Sequence, residues 1–173
     1  MGGEQGSEHQ MPLFAVKLVR VETLGVRAER WDGEADVPSW VLERDHDGLS
    51  VSVRSMSDSQ VGVTLSILAR EDGSCAVETQ LAAIYYVALL AEGEEPPEQG
   101  NIEDTAEFLK NLGKSVLFIA NQGIEDLVPF VRELVHSTSG RMRPGKPIVV
   151  SHIPPLTEDA EMVEHTNIYS VEP

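Results

Sequence analysis

Two short motifs contain residue types that can bind a phosphate group or a metal ion. Gly113-Lys114-Ser115 has the residues that end a phosphate-binding P-loop. That motif also needs a glycine five residues before its last glycine, and Phe108 stands there. Asp45-His46-Asp47-Gly48 carries possible metal ligands, but a calcium loop that began there would need a closing glutamate where Met56 lies. The two motifs therefore indicate a helical segment and a polar turn.

No catalytic group or zinc site is visible among the histidines, serines and cysteine. The histidines have neither the HExxH pattern nor any paired ligand spacing: His9, His46, His136, His152 and His165. Ser137-Thr138-Ser139 lacks the G-x-S-x-G elbow of a nucleophilic serine. The only cysteine, Cys75, excludes an internal disulfide and favours a buried structural thiol. We expect no enzyme, no metal and no cofactor, so an enzyme or small-molecule binder is the least favoured class.

The charge balance restricts the partners. The chain has 29 acidic against 13 basic residues and a formal net charge of −16. Because this surplus repels phosphate backbones, we expect no nucleic-acid binding, whereas a partner with a basic surface would be favoured. The first ten residues lack the basic and apolar regions of a signal peptide. The longest apolar run, residues 81–91, is shorter than the ~20 residues that span a bilayer, so the prediction is a cytoplasmic protein without membrane insertion.

The first half of the chain has the period-two pattern of strands. The segment from Leu13 to Val21 is apolar on both faces, and the extended pattern resumes from Val26 to Trp31, with Gly25 as a bulge or bend. Alternating patterns follow at residues 49–54, 61–67 and 76–83. The pair Asp72-Gly73 favours a tight hairpin turn between the last two of these strands. These segments predict a four-stranded antiparallel sheet.

Two packed helices are expected after the sheet. Asp104 and Glu107 form the pattern of a capping box at the start of the first helix. For the second, Asp126 is the predicted N-cap, Pro129 lies in the first turn and Gly140 closes the helix. Strands followed by helices indicate an α+β fold. We divide the chain into a disordered tail at 1–12, one domain at 13–156 and an acidic tail at 157–173.

The second helix carries a family resemblance. The run Leu127-Val128-Pro129-Phe130-Val131-Arg132-Glu133 resembles the hydrophobic-Pro-aromatic-x-Arg-Glu signature that opens a helix in SecB, the protein-export chaperone. Residues 140–141 and 146–150 resemble the polar turn and the proline-led stretch that follow in that family. Glu78, Gln80, Ala82-Ala83 and Ile84-Tyr85 resemble its strand before the helices, although glycines are usual where Ala82-Ala83 lie. Phe130 replaces a common tyrosine, and an acidic tail replaces the family's last helix.

The resemblance covers about residues 13–156 and implies an ATP-independent chaperone, or holdase, for unfolded or nascent polypeptides. It implies a client groove lined by apolar residues of the crossover region and second strand: Trp31, Trp40, Leu49, Val51 and Val53. Ordinary core packing is the competing interpretation of these side chains. The alternative function is a chaperone dedicated to one partner, such as the antitoxin of a toxin–antitoxin–chaperone system. We expect structural roles for Pro129, Phe130, Arg132 and Glu133, with Phe130 packed against the sheet.

Two interaction surfaces are also predicted. In SecB, acids on the solvent face of the sheet dock the ATPase SecA. Glu78 and, less securely, Glu29 match such acids, whereas Gly25 lies where a third is expected, so we predict weak or absent SecA binding. Ile84, Tyr86 and Leu90 extend an apolar surface on the face of Glu78, which favours self-association as a homodimer or, as the resemblance implies, a homotetramer.

Overall fold

The structure, a computed structural model, describes residues 13–33, 36–43, 48–57, 59–71, 74–157, 161–163 and 167–171, the last two ranges by backbone only. Six strands and three α-helices occur in these ranges, with a short 3-10 turn at Gly113–Ser115. In chain order the elements are β1 Phe14–Arg30, α1 Ser39–Leu42, β2 Leu49–Ser57, β3 Gln60–Glu71, β4 Cys75–Leu89, α2 Thr105–Leu112, α3 Val116–Met142, β5 Glu161–Val163 and β6 Asn167–Val171. Residues 1–12, Asp72-Gly73 and Asp45-His46-Asp47 lie outside the described ranges, so the expectations for them stay predictions.

All six strands belong to one antiparallel sheet, in the order β1-β4-β3-β2-β6-β5. The α+β class and the four-stranded antiparallel sheet followed by helices are confirmed. The sequence alone predicts a domain that ends at residue 156. The structure instead adds two short strands from the acidic tail, because β6 pairs with the free edge of β2 and β5 pairs with β6.

The alternation in β2, β3 and β4 produces one face that is buried under the helices. Val51, Val63 and Leu81 point to this face and have at most 1% of their surface exposed. The core lies between this face and the helices α2 and α3. A second, smaller cluster is formed by the opposite face and α1, and its members are Trp31, Trp40, Val41, Leu68 and Ala76.

The edge strand β1 contains two irregularities. Its register against β4 shifts between Leu18 and Arg20 and again between Thr23 and Gly25, so Val19 and Leu24 have no partner in the register. A residue inserted into one strand in this way bends the strand and increases its twist. The bulge expected at Gly25 is therefore present, with Leu24 as the extra residue.

The first predicted helix is confirmed together with its N-cap. Asp104 Oδ1 accepts a hydrogen bond of 2.9 Å from the Glu107 amide, which satisfies one of the unpaired amides in the first turn of α2. The chain then turns through the 3-10 segment, where Gly113 has a φ of +53°. Because a glycine has no Cβ, it adopts this left-handed conformation readily.

The predicted bounds of the second helix are wrong. The helix α3 is continuous for 27 residues from Val116 to Met142, so Pro129 lies in its interior and Asp126 is no N-cap. The apolar stripe begins well before the proline, with Ile119 and Ile124 buried against the sheet, and this burial outweighs the lost hydrogen bond. Pro129 itself is exposed. The helix end lies two residues beyond Gly140.

Candidate functional site

The extended segment after α3, residues 146–156, runs back along that helix, and we call it the strap. At its start, the Ile148 amide donates a hydrogen bond of 2.8 Å to Ser139 Oγ. At its end, Asn121 holds Leu156 twice. The Leu156 amide donates to Asn121 Oδ1 at 2.7 Å, and Asn121 Nδ2 donates to the Leu156 carbonyl at 3.1 Å. These contacts fix both ends of the strap to α3.

The middle of the strap is held by Arg132, one of the motif residues. Its guanidinium donates a hydrogen bond of 3.2 Å to the Ser151 carbonyl. The contact connects the helix that carries the motif to the strap. The strap forms no strand or helix of its own, so side chains of α3 supply the partners that determine its course.

A groove of about 370 Å³ opens between the strap and the ends of β2 and β3. Apolar residues form most of both walls: Leu49 and Ile67 from the sheet, and Ile148, Val149, Val150 and Ile153 from the strap. Arg70 and His152 add polar groups. A concave surface of this kind binds apolar side chains by removing them from water, with a few polar groups to orient them.

Val149 is the most accessible apolar side chain in this groove. Its exposed fraction is 76%, the largest among the exposed large hydrophobic residues of the described chain. Opposite it, Leu49 is half-buried and packs against the main core. On the strap, Ile148, Val150 and Ile153 also pack against this core, so Val149 is the exposed apolar residue of a groove whose two walls are both supported by the core.

The structure separates the five predicted client residues. Val51 and Val53 lie in the main core with 0% and 1% exposure, so in this conformation the helices cover them completely. Trp31 and Trp40 are buried in the cluster on the opposite face. Only Leu49 lines the groove. The sequence reasoning missed the strap wall, although the proline-bounded apolar run at 147–154 could have indicated it.

The two predicted partner-docking acids lie on the sheet face away from the long helices. Glu29 Oε2 accepts a hydrogen bond of 2.8 Å from Trp40 Nε1. The Arg27 guanidinium lies 4.5 Å from the centre of the same indole, and Arg27 is opposite Glu78 in the register of β1 and β4. The acids are thus diagonal neighbours with a cation beside both. This placement puts one positive charge beside the two carboxylates.

The predicted self-association surface is largely covered within the chain. Ile84 has only 1% of its surface exposed, and Tyr86 and Leu90 are half-buried. A Cβ at Gly62 would lie 3.0 Å from Met56 Cγ and 3.6 Å from Ile84 Cδ1, so Met56 and Ile84 lie over this glycine. Four apolar residues of the neighbouring strand β1 are exposed: Leu18, Val19, Leu24 and Val26.

Phe130 does not pack against the sheet, contrary to the sequence prediction. Its exposed fraction is 46%, whereas Leu127 and Val131 are fully buried. Successive helical residues are rotated by about 100°. Once Leu127 and Val131 occupy the buried face, Phe130 is directed toward solvent. Glu133 is likewise exposed.

Residues with possible chemical reactivity remain dispersed. Within the described residues, no group of three or more His, Cys, Asp or Glu side chains could hold a metal ion. Burial raises the pKa of the Cys75 thiol and outweighs the opposing effect of Arg30, so the thiol stays protonated at neutral pH. In the described part of the chain, no helix is long and apolar enough to cross a membrane.

Comparison with known proteins finds similarity only among solved structures, and two of these are informative. No protein-family model matches the sequence, and no curated protein matches it. A SecB-like chaperone of Mycobacterium tuberculosis, solved in complex with a ChAD peptide from an antitoxin, is similar with a TM-score of 0.47 and 16% identity over 80% of this chain and 90% of that one. A protein of unknown function from Streptococcus agalactiae is similar with a TM-score of 0.45 and 9% identity, over 82% of this chain and 99% of that one.

Proposed function

We propose that this protein is an ATP-independent holding chaperone that binds unfolded or nascent polypeptides. The observation that carries the proposal is the groove beside the strap, where Leu49 and Val149 present apolar surface from opposite walls. The motif at residues 127–133, which resembles the SecB signature, supports the same function. Its Arg132 holds the strap that forms one wall of the groove.

Apolar grooves suit a client that is recognised by class rather than by sequence. A fully buried apolar side chain contributes about 1.5–3 kcal/mol, so two or three side chains produce only moderate affinity. The net charge of −16 favours clients with basic segments over acidic ones. Several grooves in an oligomer would raise the effective affinity without new contacts.

Replacing Val149 with aspartate is expected to weaken client binding about tenfold, because the change places a charge in the wall that receives apolar side chains. The measurement is suppression of light scattering when an enzyme denatured in guanidinium chloride is diluted into buffer with the protein. Since Val149 is 76% exposed, the substitution should leave the free energy of unfolding nearly unchanged.

Leu42→Asp is the matched control. Leu42 is 65% exposed but lies at the end of α1, outside the groove. It should suppress aggregation as well as the wild-type protein. Equal suppression by Val149→Asp and wild type would contradict the assignment of the groove, and no suppression by the wild type would contradict the chaperone function.

Self-association through the edge of β1 is part of the proposal. This strand ends the sheet, is 17 residues long and carries four exposed apolar residues. A second chain packed on these side chains would remove them from water. A homodimer through β1, or a homotetramer built from two such dimers, would cover them.

Light scattering at micromolar concentration should therefore give a mass at least twice the 18.9 kDa of one chain. Leu18→Lys/Leu24→Lys should shift the mass toward the monomer, because charged side chains on an edge oppose pairing. Leu42→Lys is the control for an added exposed charge. A wild-type monomer would contradict the proposed assembly.

A chaperone dedicated to one partner, such as an antitoxin, remains the alternative, and it would use the same groove with a narrower range of clients. A role in protein export and a cytoplasmic location also stay predictions. Weak or absent SecA binding is still expected. Arg27 lies beside Glu78, and the Glu29 carboxylate already accepts a hydrogen bond from the Trp40 indole.

A further inference from the structure

The outer edge of β2 is occupied by the C-terminal strand of the same chain. β6 pairs with β2 at five backbone positions, from Leu49 opposite Val171 to Val53 opposite Asn167. The other edge of β2 pairs with β3. Without β6, β2 would be the second open edge of the four-stranded sheet, so this edge can accept an extended antiparallel strand.

This edge is continuous with the groove. Leu49 lines the groove and is also the β2 residue opposite Val171. An extended polypeptide that paired with β2 in the orientation of β6 would therefore reach the groove immediately after its last paired residue. A single client segment could use both surfaces, first through its backbone and then through its side chains.

We propose that β6 is a displaceable occupant of the client-binding edge. A client segment displaces it, pairs antiparallel with β2 and places its following apolar residues in the groove. This inference rests on the proposed chaperone function. It adds that the client backbone pairs with β2 and that β6 competes with the client for this edge.

The exchange leaves the core intact. Val51 and Val53 face the core whether the partner of β2 is β6 or a client, because a pairing strand contacts their backbone. The replaced pairing is short, since β6 has five residues and is followed at the sheet edge only by the three-residue β5. A two-stranded unit of this size has little stability of its own.

Competition by β6 also makes the site selective. Because β6 belongs to the same chain, its effective concentration is about millimolar, so a client that offered backbone pairing alone would bind poorly. Apolar contacts in the groove supply the additional affinity. The acidic tail has no lysine or arginine from residue 157 onward, so a basic client would be favoured over β6 on a chain of net charge −16.

A reversible disulfide between β2 and β6, called the lock below, tests this inference in the full-length protein. Ser50 lies opposite Ser170 in the register, so the double variant Ser50→Cys/Ser170→Cys places two thiols within reach of a disulfide. The probe is a fluorescein-labelled peptide of alternating valine and lysine, followed by fluorescence anisotropy. Oxidation should weaken its binding at least about tenfold, and reduction should restore wild-type affinity. The native Cys75 is buried.

A second variant should have the opposite effect. Ile168→Pro/Tyr169→Pro removes two successive amides of β6, of which one belongs to the ladder with β2, and should strengthen peptide binding about tenfold. Ile168→Val/Tyr169→Phe keeps the strand and is the matched control. A peptide with N-methylated alternate residues should bind poorly to every variant, since it cannot complete the ladder.

The outcomes separate this inference from the proposed function. Equal peptide affinity in the oxidised and reduced lock, with unchanged affinity after the proline substitutions, would overturn the role of β6 while the chaperone function stood. Absence of peptide binding and of aggregation suppression in all variants would overturn both.

Discussion

Replacing Gly123 with alanine should lower the free energy of unfolding by about 2–3 kcal/mol, although alanine is the better helix former. Gly123 lies in the middle of α3 and faces β3. A Cβ at this position would lie 2.3 Å from Val63 Cγ1 and 2.6 Å from Val63 Cβ. Val63 is fully buried in the main core and has no room to withdraw.

The same contact explains why a glycine lies within a long helix. A glycine in a helix interior costs about 0.5–1 kcal/mol relative to alanine. Here it lets the backbone of α3 approach the sheet closely enough for Ile119, Ala120 and Ile124 to be buried. The packing that this close approach allows therefore stabilises the fold by more than the low helix propensity of glycine costs. Any side chain at this position would force α3 away from the sheet.

Urea unfolding of Gly123→Ala measures the effect, and Gly140→Ala is the control in the same helix. A Cβ at Gly140 would have its nearest neighbour, Pro147 Cβ, at an ordinary 3.6 Å. That variant should gain about 0.5–1 kcal/mol. Val63→Ala added to Gly123→Ala should restore part of the loss, and this coupling identifies the clash. Equal stability of Gly123→Ala and Gly140→Ala would contradict the close approach.

The sequence predicts the sheet well because alternation is a local signal. Val51 and Val53 alternate with serines, and the structure directs both valines into the core. The bulge beside Gly25 is also a local feature. By contrast, the pairing of β6 with β2 depends on contacts between residues more than a hundred positions apart, and the acidic composition of the tail gives no sign of it.

The bounds of α3 could not be read from local signals, because the same residue types serve different roles in helix interiors and ends. Asp126 and Pro129 together are typical of a helix start. In the folded chain the Asp126 carboxylate accepts a hydrogen bond from Tyr85, and Pro129 lies on an exposed side of the helix where its missing amide is tolerated.

The candidate site was predicted least well, since it is formed by segments far apart in sequence. Of the five predicted client residues, Leu49 alone lines the groove. The other four are buried in the main core or in the smaller cluster on the opposite face of the sheet. The opposite wall depends on the strap, whose path is set by Ser139, Arg132 and Asn121 on one side of α3. Only the tertiary structure makes these side chains neighbours of the strap.

Tyr85→Phe should produce a stability difference from wild type that changes sign with pH. The Tyr85 hydroxyl donates a hydrogen bond of 2.7 Å to Asp126 Oδ2 and so joins β4 to α3. Tyr85 is 1% exposed, and Asp126 is half-buried. At neutral pH the variant should be less stable by about 1–3 kcal/mol, because it leaves the carboxylate without this donor.

Above pH 10 this stability difference should shrink and then reverse. Burial, and then the hydrogen bond and negative charge of Asp126, raise the pKa of Tyr85 far above its ordinary value of 10.0. The folded state therefore keeps a proton that the unfolded state releases. The contribution of the Tyr85 hydroxyl to the free energy of unfolding is complete below the pKa of the unfolded state. Above that pKa it falls by about 1.4 kcal/mol for each pH unit. Phenylalanine has no such proton, so the two stability curves should cross about one to two units above pH 10.

Urea unfolding of both proteins from pH 7 to about pH 12 tests the crossing. Tyr86→Phe, at the neighbouring half-buried position of β4, is the control for loss of a tyrosine hydroxyl. Comparison of variants at each pH cancels the other groups that titrate in alkaline solution, because both chains share them. A difference between Tyr85→Phe and wild type that stayed constant from pH 9 to pH 11 would contradict a buried, protonated Tyr85 bonded to Asp126.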